Sequence, residues 1–170
     1  MIVTAQVSLP VGVVVGRRKA DSPWLDYVWR PISVLVGEME AAPWTALGEE
    51  GGMALFYAGG AEVELHRTAT IGYRDNLATG TPLLWVALRP TSTEPPFTVL
   101  AVTADAAEGE ALTQAGDDLV ETVPMPETIR RQVEAFVAEH HVERPFVKRQ
   151  RDDTRSARLA NPGSRDEEGK

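Results

Sequence analysis

Residues 53 to 67 read MALFYAGGAEVELHR, two short apolar runs on either side of Gly59 and Gly60. Paired glycines take the positive φ values that a tight two-residue turn demands, so the stretch predicts a β-hairpin. On its second arm Val63 and Leu65 face one way while Glu62, Glu64 and His66 face the other, the alternation of a half-buried strand. An antiparallel sheet built from short strands is the fold that such a unit implies.

The flanking segments extend that reading. Upstream, QVSLPVGVVVGRRK (6–19) is rich in valine, whose stiff β-branched side chain suits a pleated surface. After ADSP, the segment WLDYVWRPISVLVG holds a second strand, with Pro31 marking an edge or bend, and Pro43 and LGEEGG (47–52) form a loop. Downstream, ATIGYRDNLATG changes period: Tyr73 and Leu77 are four apart, which predicts a short helix closed by Gly80.

PLLWVALRP and FTVLAVTA are two further strands separated by a proline-rich loop. Asp105 with Glu108 forms a capping box that opens a helix over 106–115, ended by Gly116. LVETV is a last short strand. A final helix over 126–142 places Ile129, Val133, Phe136, Val137 and His140 on one stripe, to be laid across the sheet. The fold class is therefore α+β: a mostly antiparallel sheet or partly open barrel of about six or seven strands, two short helices and a C-terminal amphipathic helix.

At 170 residues the chain fits one domain, taken as 1–143, with a basic extension over 144–170 that is expected to be largely disordered from about residue 152. Hydrophobic residues at 43% and charged residues at 25% give the body enough apolar surface to fold without a partner completing its core. The net charge of −8 hides an asymmetry. The extension holds eight Lys and Arg against five Asp and Glu, a net +3, while the other 143 residues hold nine against twenty, a net −11. An acidic body repels phosphate over most of its surface, which argues against nucleic acid as a partner.

Cysteine is absent, excluding disulfides, thiolate nucleophiles and sulfur-ligated metals. No stretch has the roughly 18 apolar residues of a membrane span, and the N-terminal apolar run carries Pro10 inside it and its charges behind it, the reverse of a signal peptide. The expectation is a cytoplasmic protein with no membrane partner.

Chemistry-bearing residues are few. His140 and His141 lie side by side, but neighbouring helical residues point about 100° apart, so they do not chelate one ion together. His140 is read as closing the apolar stripe and a protonated His141 as favouring the negative helix end. Glu62, Glu64 and His66 are metal-ligating types on one strand face, equally those of a solvated face, and no fourth ligand is visible. No metal site and no cofactor are assigned.

GVVVGRRKADS shares a strand and basic residues with the N-terminal nucleotide loop of molybdenum-cofactor guanylyltransferases. Here, however, Gly16 stands alone where paired glycines would meet phosphates, and no Met-Gly follows Arg18. The candidates for a small anionic ligand or nucleotide are Arg17, Arg18 and Lys19 at the end of that strand, and Tyr73, Arg74 and Asn76 on the YRDNLATG helix. There is no serine in a glycine elbow and no histidine with an evident orienting acid, so no catalytic residue is assigned. Trp24, Trp29, Trp44 and Trp85 serve the core and its rim, and one left exposed would mark an interface.

Taken together, VGVVVGRRKADSPWLDYVWRP, ELHR, YRDNLATG, VTAD leading to GDDLVETVPMP, and AFVAEHHVERPFVKRQRD resemble a proteobacterial protein family of unknown function, over about residues 6 to 153. Its members are commonly encoded beside molybdenum-dependent formate dehydrogenase genes, and some carry the guanylyltransferase name. The resemblance implies a non-catalytic accessory or assembly protein for such a dehydrogenase, with dehydrogenase subunits as the expected partner. The alternative is a protein that binds or transfers a small anionic ligand related to the molybdenum cofactor. For partner contact the residues expected are Arg144, Pro145, Phe146, Lys148 and Arg149, with Phe146 as the apolar anchor between charges.

Overall fold

The computed structural model describes residues 7–141. Seven strands and three helices follow in the order β1 (Val7–Lys19), β2 (Tyr27–Val36), β3 (Thr45–Glu50), β4 (Met53–Leu65), α1 (Thr70–Ala78), β5 (Leu83–Pro90), β6 (Phe97–Thr103), α2 (Ala106–Gln114), β7 (Leu119–Pro124) and α3 (Glu127–His140), with a 3₁₀ turn at Arg67–Ala69 before α1. The strands form two antiparallel sheets, β2-β1-β4-β3 and β6-β5-β7. The α+β class and the strand number agree with the sequence reading, but Thr45–Glu50, expected to lie largely in a loop, forms β3.

The hairpin expected at Gly59 and Gly60 does not form. MALFYAGGAEVEL is one strand, β4, which pairs with β1 along its whole length from Leu65 opposite Val7 to Ala54 opposite Arg17. Gly59 sits at φ 140 where the β1–β4 register shifts, so the glycine pair accommodates a bulge and bend instead of a reversal. The reversal comes one turn earlier. Gly51 and Gly52, at φ 58 and 77, join β3 to β4 with Glu50 opposite Met53, the positive-φ pair that a two-residue hairpin turn needs. β1 is thirteen residues long and buried in its middle, and a partner of equal length satisfies its ladder better than a short arm would.

The valine run explains that length. Val11, Val13 and Val15 are fully buried on the inner face of β1. They meet Leu84, Val86 and Leu88 of β5 in one core, each such side chain stabilising the fold by about 1.5–3 kcal/mol relative to exposure. The stripe of α3 enters the same core through Ile129, Val133 and Phe136. Phe136 packs edge-on against Tyr73 of α1, ring centroids 6.0 Å apart, so α1 and α3 together close one end of the molecule. Pro126 is the N-cap of α3, with extended ψ, and the helix proper starts at Glu127. Asp105 caps α2 by accepting a hydrogen bond from the Ala107 N–H at 3.0 Å.

The two sheets touch along two seams, β2 against β7 and β4 against β6. At the first, Arg30 lies 3.7 Å from Glu121. Among the described residues no ladder of hydrogen bonds crosses either seam, so the barrel stays open. The second seam positions a groove.

Candidate functional site

β3 stops pairing with β4 at Thr45 opposite Tyr57, and beyond that point, among the described residues, β4 is paired only with β1. Among the same residues β6 is paired only with β5. Two strand edges thus face the same space, and a groove of about 760 Å³ lies there, with Glu62, Glu64 and His66 on one side and the β6 edge over Val99–Val102 on the other. Glu38, reaching over Gly60, and Glu108 of α2 complete a lining that, among the described residues, contains four glutamates and no lysine or arginine. Such a concave, single-sign surface concentrates cationic groups and repels anions.

The polar geometry at one end of the groove is built by α1. The Tyr73 hydroxyl accepts a hydrogen bond from the His66 backbone N–H at 2.9 Å and lies 3.4 Å from the Glu64 carbonyl, to which it donates. Burial pushes the Tyr73 phenol above its ordinary value of 10.0. The His66 N–H opposes that shift, and the negative charges of Asp105, Glu108 and Glu64 add to it. The His66 ring stands 3.7 Å from the Glu64 carboxylate, and its Nδ1 is buried with no hydrogen-bond partner among the described residues. Among those residues no group of three or more His, Asp and Glu side chains is placed to hold a metal ion.

The six residues expected to meet a small anion fall into two sets at opposite ends of β1. Arg17, Arg18 and Lys19 end the strand, whereas Val7 at its start pairs with Leu65, beside the Tyr73 helix. The Arg17 guanidinium stacks 4.0 Å above the Tyr27 ring and 5.1 Å from Phe56, within an aromatic cluster that includes Trp29, Trp44 and Phe97. Its Nε is buried without a hydrogen-bond partner among the described residues, while Arg18 and Lys19 are exposed. Tyr73 and Asn76 are buried, and Asn76 is spent on Leu83 and Ala104. None of the six lines the groove.

The histidine pair separates as helical geometry requires. The His140 ring packs 4.5 Å from Phe136, completing the apolar stripe. His141 is the C-cap of α3, its Nε2 3.0 Å from an Arg74 guanidinium nitrogen and its Nδ1 3.1 Å from Thr70 Oγ1. These two contacts tie the end of α3 to α1.

Around the β1–β2 loop the side chains are unusually bare. Trp24 is 89% exposed, Leu25 59% and Tyr27 43%, beside Arg18 and Lys19. The groove was missed in the sequence because Glu38, Glu62–His66, Val99–Val102 and Glu108 come from four separate segments; only the Glu62, Glu64, His66 alternation was visible locally. The partner residues Arg144, Pro145, Phe146, Lys148 and Arg149, the boundary at 143 and the tail beyond it lie outside the described residues.

No helix among the described residues is long and apolar enough to cross a membrane. No curated protein and no solved structure matches the chain. One family model does, over residues 10–150, which takes in most of β1 and every later element through α3, and the chain belongs to that family, described as Protein of unknown function (DUF3305).

Proposed function

We propose that the chain is a non-catalytic accessory protein acting by protein–protein contact, and that the protein it serves is a molybdenum-dependent formate dehydrogenase. The observation that carries the contact reading is Trp24, 89% exposed beside Leu25 and Tyr27. A tryptophan left in water next to further apolar side chains and a pair of cations, Arg18 and Lys19, is the composition of an interface anchor with a polar rim. The choice of dehydrogenase rests on the sequence resemblance alone.

The test is a deletion strain assayed for formate oxidation and for cofactor loading of the dehydrogenase. Loss of both, restored by the intact chain and not by the Trp24→Ala, Leu25→Ala variant, supports the proposal. Full activity and loading in the deletion strain refute it. The other reading, a small anionic ligand related to the molybdenum cofactor, places that ligand at Arg18 and Lys19 with the Arg17–Tyr27 stack behind them. Calorimetric titration with guanine nucleotides tests it: binding abolished by Arg18→Ala, Lys19→Ala supports it, and no heat refutes it for those ligands.

A further inference from the structure

The edges of β4 and β6 at the groove are the kind of unpaired backbone that natural sheets cover, because bare N–H and C=O rows recruit other strands. An extended segment entering there would hydrogen-bond to an edge as an added strand, a recurrent mode of peptide recognition. The lining selects the charge of that segment: Glu38, Glu62, Glu64 and Glu108 call for cations.

The chain carries such a segment and delivers it to the right place. His141, the last described residue, is held against Thr70 and Arg74 of α1. Only the 3₁₀ turn separates the start of α1 from His66, which lines the groove. Residues 142–151 read VERPFVKRQR, with four cations, and ten extended residues reach about 33 Å. In an extended backbone Arg149 and Arg151 fall on one side at the same two-residue spacing as Glu62 and Glu64 on β4. We infer that the groove between β4 and β6 is the docking site of this chain's own basic segment, residues 144–151, which adds a strand at the open seam and sets its arginines against Glu62 and Glu64.

This goes beyond the partner proposal and is tested without any partner. Amide hydrogen exchange is followed in the full-length chain over residues 60–66 and 97–103, with β5 as an internal reference. Against wild type, the K148E/R149E/R151E variant is expected to exchange about tenfold faster at both edges and unchanged in β5. Adding E62K/E64K to that variant restores protection by reversing both charges. Raised salt weakens edge protection in the wild type, a readout that needs no variant to fold. Equal exchange at the edges in wild type and the arm variant, at low and high salt, overturns the inference and leaves the groove for a basic strand from another protein. Protection that disappears on dilution overturns it in favour of a second copy.

Discussion

Asn76 makes three hydrogen bonds from one side chain: Nδ2 donates to the Leu83 and Ala104 carbonyls at 2.8 and 3.0 Å, and Oδ1 accepts from the Leu83 N–H at 2.9 Å. It ties α1 to the start of β5 and the end of β6, and truncation strands buried backbone groups. Asn76→Ala is expected to lower unfolding stability by about 2–4 kcal/mol, measured by urea denaturation. Tyr73 gives a pH-dependent counterpart. Because burial raises its phenol above 10.0, the folded state holds the proton more tightly than the unfolded chain does. The stability it contributes is present below pH 10 and is lost as pH rises through the folded value. Tyr73→Phe should cost about 1 kcal/mol at neutral pH and flatten the alkaline limb of a stability–pH curve; an unchanged limb would assign that loss to other groups. At this scale the sequence was informative in part: YRDNLATG read as a short helix with Tyr73 and Leu77 four apart, which forms, whereas Asn76, offered there as a contact for a small anion, is spent on Leu83 and Ala104. It was silent on the contacts of His141, because Arg74 and Thr70 lie about seventy positions away.

Among the elements, two glycine pairs compete for the same turn, and local pattern favours the wrong one. Gly59 and Gly60 stand between apolar runs, whereas Gly51 and Gly52 follow two glutamates, so alternation alone marks the former as the hairpin. The long buried valine strand decides otherwise by pairing with β4 throughout. The two assignments are separable by substitution. Gly52→Ala, at φ 77, is expected to cost about 1 kcal/mol. Gly60→Ala has no positive φ to strain and mainly displaces the flexible Glu38 carboxylate, whose Oε1 is 2.6 Å from where the new Cβ would sit, so it should cost less. The reverse ranking in thermal melts would contradict the continuous β4. A second contact sets how α2 packs: a Cβ at Gly109 would overlap the Trp85 indole on β5. Gly109→Ala should therefore destabilise by about 1–3 kcal/mol, with a change in tryptophan fluorescence, despite alanine being the better helix former.

On the scale of the molecule, class and helix order were legible because hydrophobic period and capping residues are local signals, whereas the strand number matches because β3, read as a loop, replaces one of the two arms that merge in β4. The seam between β4 and β6 was not, since it depends on where β3 stops pairing and on which sheet edges meet, neither of which leaves a local signature. Charge is the exception. The acidic body and the basic segment after it are plain in the sequence, and the fold gathers four of the body's glutamates beside two unpaired edges. The same body leaves Trp24, Leu25 and Tyr27 in water at the β1–β2 loop, far along β1 from that groove. Interface anchors of this kind carry much of a contact's energy, so truncating Trp24 and Leu25 should weaken partner recovery by roughly tenfold or more without lowering the melting temperature. The most direct measurement is affinity purification of the tagged full-length chain from its native cells, wild type beside Trp24→Ala, Leu25→Ala, with the bound proteins quantified. The account predicts formate dehydrogenase subunits enriched with the wild type and lost with the variant; dehydrogenase absent from both, or recovered equally by both, would contradict it.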